Sequence, residues 1–284
     1  MFNSLAAAAH GLLLSVSRSL TAQKVDFIVV GGWVPVIRGG AEALCHPGTR
    51  DVDILLIGTV ESAQDAFRAL LGNGYFASAK HEFQLLCPIN VSGTNFIFNV
   101  DFLHPTDGLK NPDMFQDIID LQVSDMADGS GRRWGKSIAF TDGSAVIRHS
   151  MWNAVDISGE DTQSDPATTS LPLLTYDGFV LSKLKSVRQI KRPRDAFDLF
   201  YISQASDAEA TRSAITSVCD TDPGVASLVE DFRSWLEEKS ALVDHNVRKY
   251  AELAPSVSPS EEIRWLVGGS DGPSRQAVTE IRRS

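Results

Sequence analysis

The chain has 284 residues, with 36 acidic against 26 basic side chains and a formal net charge of −10. That balance excludes a protein that coats nucleic acid by bulk positive charge, while leaving room for a local basic patch. Its three cysteines, Cys45, Cys87 and Cys219, lie far apart and outside any CxxC, which excludes a disulfide scaffold and a zinc knuckle and fits a reducing cytoplasm.

Leu5, Leu12, Leu13, Val16 and Leu20 recur at near-helical spacing, so residues 4–22 read as a helix with one apolar stripe. The segment lacks a positive start and is interrupted by His10, which favours an amphipathic helix over a secretory signal. The longest uncharged run, Phe83 to Val100, carries several amides and cannot span a membrane. A cytoplasmic protein without membrane partners is expected.

A β-rich run, Val25 to Val30, ends at Gly31-Gly32, and a short helix over 33–38 is expected to stop at Gly39-Gly40. Asp51 to Ile57 alternates as a strand, with Asp51, Asp53 and Leu55 on one face and Val52, Ile54 and Leu56 on the other. Glu61 to Leu71 reads as a helix closed by Gly72 and an Asn73-Gly74 turn. Phe83 to Val91 and Asn95 to Leu103 read as a hairpin; Asp101 lies with Ile97 and Asn99, opposite Phe96, Phe98, Val100 and Phe102.

Short strands are expected around 136–140 and 145–149, with Gly- and Asp-rich turns such as 128–131. The polar stretch 158–170 reads as a loop. Beyond it the pattern turns helical, over 176–190, over 194–204 after Pro193, and then to the end. The domains expected are a core over 1–155, a linker over 156–172, and a helical C-terminal part over 173–284 that completes the active site.

The chemistry concentrates in Gly31-Gly32, then Thr49-Arg-Asp51-Val-Asp53, then Asp101. Carboxylates two apart on a strand point the same way, about 7 Å apart along the backbone. At that spacing they can converge on a pair of divalent cations about 4 Å apart, the geometry of in-line phosphoryl or nucleotidyl displacement. A third carboxylate from another strand adds to the oxygen shell that Mg²⁺ takes. The glycine pair lets backbone N–H groups approach a triphosphate at a helix start, and Thr49 offers it a hydroxyl. A lone DxD is more often a solvated strand end, and a lone Gly-Gly a turn. Their order here favours catalysis.

The pattern FIVVGGW…TRDVDILL…FNVDFLH resembles the core of the nucleotidyltransferases of the DNA polymerase β superfamily. It departs from the commoner form in having GGW where GS is usual, which bears on the phosphate contact. A second motif, Leu181-Ser-Lys183-Leu-Lys185 followed by Arg194-Asp195-Ala-Phe-Asp198-Leu, resembles the helical segment of AbiEii/MenT-like toxins. Together the matches cover about 25–57, 94–103 and 175–205. The resemblance implies an α/β (α+β) fold, with a mixed sheet flanked by helices and a helical C-terminal portion.

For function, the resemblance implies metal-dependent transfer of a nucleoside monophosphate from an NTP to an acceptor. The implied metal ligands, for two Mg²⁺ ions, are Asp51, Asp53 and Asp101. Gly31, Gly32 and Thr49 would seat the triphosphate, Lys183 would neutralise it, and Asp195 would orient Lys183 or the acceptor. The implied partners are an NTP, a tRNA or other macromolecular acceptor, and a cognate antitoxin protein. Two other readings share these residues: a small-molecule adenylyltransferase of the aminoglycoside type, and a catalytically inactive nucleotide-binding module.

The bland readings apply to the second motif as well. Six cations between Lys183 and Arg194 could be a solvated face or a polyanion patch, with Lys183 itself expected to be exposed. Asp195 in a first helical turn is favourable for dipole reasons alone. His104 and Trp134, beside Arg132-Arg133, are weaker candidates for the site's surroundings.

Overall fold

The computed structural model describes residues 2–40, 44–105, 115–121, 133–140, 143–189 and 191–269. The chain divides into two compact units, one of residues 1–33 and 48–174, the other of residues 34–47 and 175–284. The turn expected over 128–131 and Arg132 lie outside the described residues.

In the first unit, helix α1 (Leu5–Ala22) is capped by Ser4, whose hydroxyl accepts from the Ala7 N–H. It is followed by strand β1 (Phe27–Val30), then by helix α2 (Trp33–Arg38), which beyond Trp33 belongs to the second unit, and, again in the first unit, by strand β2 (Val52–Leu56) and helix α3 (Val60–Gly72). Strands β3 (Phe76–Ala77), β4 (Gln84–Val91), β5 (Thr94–Pro105), β6 (Gln116–Asp120) and β7 (Trp134–Phe140) come next. Helix α4 (Gly143–Arg148) and strands β8 (Trp152–Glu160) and β9 (Pro166–Leu174) complete the unit.

The sheet runs β3-β4-β5-β2-β1-β9-β8, with β7 joining β5 and β6 joining β7. It is mixed: β2 pairs parallel with β5 and antiparallel with β1, and β1 pairs parallel with β9. The β4–β5 turn is Ser92-Gly93, both at positive φ (50° and 87°), as a tight two-residue hairpin requires. One sheet face carries Val52, Ile54, Val100 and Phe102, all fully buried. Phe67 of α3 meets Phe102 there, ring centroids 4.3 Å apart. Burying such a ring contributes roughly 1.5–3 kcal/mol, so this face anchors the sheet to its helices.

In the second unit, helices α5 (Tyr176–Lys183), α6 (Pro193–Ser203), α7 (Ala208–Thr221), α8 (Pro223–Arg248) and α9 (Pro259–Leu266) pack around Phe179, Phe197, Phe200, Phe232 and Leu266. Pro193 opens α6 at a position whose N–H has no helical partner. Helix α8 is kinked at Lys239. Mixed sheet, flanking helices and helical C-terminal part are as the sequence led us to expect.

Two local expectations are overturned. The stretch 158–170 is a loop only over 161–165; its flanks are the ends of an antiparallel hairpin, β8 against β9, in unbroken register from Trp152↔Leu174 to Glu160↔Pro166. Its Thr and Ser residues read as turn formers, yet Ala167, Thr169, Leu171 and Leu173 alternate inward once the partner strand is present. The expected strand at 145–149 is helix α4, in which burial of Ala145 and Val146 overrides the β-preference of Val146 and Ile147.

Candidate active site

The sheet aligns the candidate carboxylates. Asp53 on β2 stands in register with Asp101 on the adjacent parallel strand β5. Register partners on neighbouring strands point to the same face, with backbones about 4.8 Å apart. Asp53 and Asp101 are half-buried, on the face opposite Val52, Ile54, Val100 and Phe102. Asp51 precedes β2 by one residue and is exposed.

Each outer carboxylate is held by an amide. Gln84 Nε2 donates to Asp101 Oδ1 at 2.8 Å, and Asn99 Nδ2 donates to Asp51 Oδ1 at 3.2 Å. Gln84 is Asp101's register partner across β4 and β5, and Asn99 lies two residues before Asp101 on the same face. Neither amide was singled out from sequence, because the cross-strand pairing that brings it to a carboxylate has no local signature.

The glycine pair meets the same strand. Gly31 has φ +70°, and a Cβ placed there would lie 1.9 Å from Asp53 Oδ2. Only glycine fits, both for its backbone conformation and for the space the carboxylate occupies. Trp33, the residue that makes the motif GGW, is 2% exposed and donates from Nε1 to the Asp51 carbonyl at 3.0 Å. The tryptophan thus ties the residue after the glycine pair to the start of β2. Thr49 sits half-buried two residues before Asp51.

These donors are oxygens, the hard ligands that Mg²⁺ takes. Among the described residues, however, no three His, Cys, Asp or Glu side chains are arranged to hold a metal ion. Of the three expected carboxylates, the sheet sets Asp53 in register with Asp101, and Asp51 accepts from Asn99. Mg²⁺ is usually held by one or two carboxylates together with substrate phosphates. The Asp53–Asp101 pair fits an ion that arrives with a nucleotide.

Lys183 and Asp195 belong to the second unit, where they bind each other. Lys183 Nζ donates to Asp195 Oδ1 at 2.6 Å and lies 3.5 Å from Asp198 Oδ2. Lys183 is not the exposed cation expected; it is 9% exposed, because its ammonium is drawn in by two buried acids. Asp195 Oδ2 is buried without a hydrogen-bond partner.

Asp198 is the hub of this cluster and was missed as a site residue. It also meets Arg194 Nε at 3.4 Å and His46 Nε2 at 3.2 Å. Burial pushes its carboxyl up, but the His46 hydrogen bond and the Lys183 and Arg194 charges outweigh that and hold it below the ordinary value. The second acid of R-D-x-x-D is one helical turn beyond Arg194, a spacing that could have marked it.

The other candidates have settings of their own. His104 lies on the opposite face of β5 from Asp101, 5% exposed, with Nδ1 2.9 Å from Ser137 Oγ; burial lowers its pKa. Arg188 rests over the rings of Phe232 and Trp235, while Lys185, Lys191 and Arg192 are exposed. Trp134 is 37% exposed. Among the described residues, no helix is long and apolar enough to cross a membrane.

The sequence matches no family model and no curated protein. Among solved structures, the chain is similar to a protein from H. pylori that carries the provisional name of nucleotidyltransferase. The likeness covers 94% of this chain and 93% of that one, at 10% sequence identity and a TM-score of 0.47. A superposition this loose says nothing of activity.

Proposed function

We propose that the protein is a nucleotidyltransferase that moves a nucleoside monophosphate from an NTP to an acceptor and releases pyrophosphate. The observation that carries this reading is the in-register pair Asp53 and Asp101, with the Gly31 backbone packed against the Asp53 carboxylate. Two adjacent carboxylates beside a tight glycine turn suit the binding of a metal-complexed triphosphate better than a structural role.

In this reading Asp53 and Asp101 would hold Mg²⁺, with Asp51 at the strand start as the third ligand. The ion would supply charge neutralisation on the transferred phosphoryl group. Backbone N–H groups at Gly31 and Gly32 and the Thr49 hydroxyl seat the phosphates. Asp101, restrained by Gln84, orients the acceptor hydroxyl and takes its proton. For Lys183 to neutralise the triphosphate, its ammonium must exchange Asp195 for a phosphate oxygen.

The acceptor we favour is tRNA, with the protein acting as the toxin of an AbiEii-like pair; the support is the resemblance of the Lys183 and Asp195 motif. Purified protein is incubated with each labelled NTP, Mg²⁺ and total tRNA. Label in RNA that disappears in Asp53→Asn supports transfer. Absence of any transfer, with nucleotide still bound, points to a binding module. In cells, expression should arrest growth unless a cognate antitoxin is present, and Asp53→Asn should relieve the arrest. Protection against an aminoglycoside without arrest would replace the toxin reading with a small-molecule adenylyltransferase.

A further inference from the structure

The segment between the glycine pair and the T-x-D-x-D strand belongs to the second unit, and three of that unit's side chains grip its described parts. Tyr176 Oη lies 2.7 Å from the Arg38 carbonyl and 3.0 Å from that of Gly39. Burial pushes the Tyr176 hydroxyl up to about 12, so it stays protonated as the donor. The Tyr201 ring covers Gly40 so closely that a Cβ there would fall 2.0 Å from Tyr201 Cε1. At the far end His46 bonds Asp198, with side chains 5% and 1% exposed. The His46 ring also lies 5.8 Å from Phe197 and 5.1 Å from Tyr201.

We propose that His46 and Asp198 are positioning residues, whose bond closes a clasp on this segment and fixes the course of the chain three residues ahead of Thr49. Ionised Asp198 can only accept, so His46 Nε2 carries the proton of the bond whether the ring is neutral or charged. The pair joins residues 152 positions apart and is the last described side-chain bond before the chain leaves the second unit. Removing it costs Thr49 and Asp51 a defined approach, while Lys183 keeps Asp195 as its closer partner. A displacement of about 1 Å at a reacting group can cost roughly 10²-fold in rate. This functional half of the proposal rests on the nucleotidyl-transfer reading; the clasp itself does not.

The test compares His46→Phe, which keeps the ring packing but not the bond, with His46→Gln, which keeps a donor at the same reach, and with Asp198→Asn. Amide hydrogen exchange of residues 44–51 should quicken at least tenfold in His46→Phe and Asp198→Asn, with the sheet and α8 unchanged. It should return toward wild type in His46→Gln. Nucleotide transfer should fall and recover in the same order. Wild-type exchange over 44–51 in His46→Phe overturns the clasp, as does an acceleration spread evenly over the whole second unit. If the wild-type protein transfers no nucleotide, the functional reading fails while the exchange comparison still decides the clasp.

Discussion

The carboxylate of Asp53 lies against the α-carbon of Gly31, where a methyl group would fall 1.9 Å from Asp53 Oδ2. A turn residue and a candidate metal ligand, 22 positions apart in sequence, therefore constrain one another. The glycine sets where the carboxylate can sit, and the carboxylate requires that the glycine have no side chain.

Gly31→Ala is expected to fail twice over. Its φ of +70° would hold an alanine in a left-handed conformation, at a cost of about 1–3 kcal/mol. The added methyl would also displace the Asp53 carboxylate, and transfer should drop roughly 10²-fold. Thermal melting measures the first effect and labelled-nucleotide transfer the second. Full activity in Gly31→Ala would show that the position of Asp53 is irrelevant to the reaction.

Lys183→Ala should do more than remove a phosphate ligand. It leaves Asp195 and Asp198, 6% and 1% exposed, without their shared ammonium. Breaking a buried pair from one side costs about 3–5 kcal/mol. Urea unfolding should show that loss, and adding Asp195→Asn should restore part of it. A Lys183→Ala protein as stable as wild type would mean the cluster is open to water.

Acid should weaken the fold through His104. Burial holds its pKa below the ordinary 6.5, so in the folded state it stays neutral while the unfolded chain takes up a proton. Stability from this group is present at neutral pH and falls as pH drops below about 6.5, until the folded-state pKa is passed. His10, lowered by burial as well, adds in the same direction. Melting temperature measured from pH 7.5 to 5 should decline, and His104→Gln should flatten the decline. A melting temperature that rises over that interval contradicts the assignment.

What the sequence determined by itself is what depends on near neighbours. The alternation of Asp51 to Ile57 separated the acids from Val52 and Ile54, because a strand's period of two is local. Helix α2 begins at Trp33 and ends at Arg38, bounded by two glycine pairs as expected. Lys183 and Asp195 could be picked out by motif, but not their burial or their bond.

Tertiary structure decided everything that depends on which distant segments meet. Register put Gln84 on Asp101 and Asp53 beside it, and no composition or spacing encodes a register between β4, β5 and β2. Pairing turned 158–160 and 166–170 into strand, because β8 satisfies its backbone hydrogen bonds on β9, which itself lies between β8 and β1. The same holds for His46 and Asp198. A histidine in a loop and an acid one turn into a helix are unremarkable apart, and they become a buried bond only because folding removes both from water together.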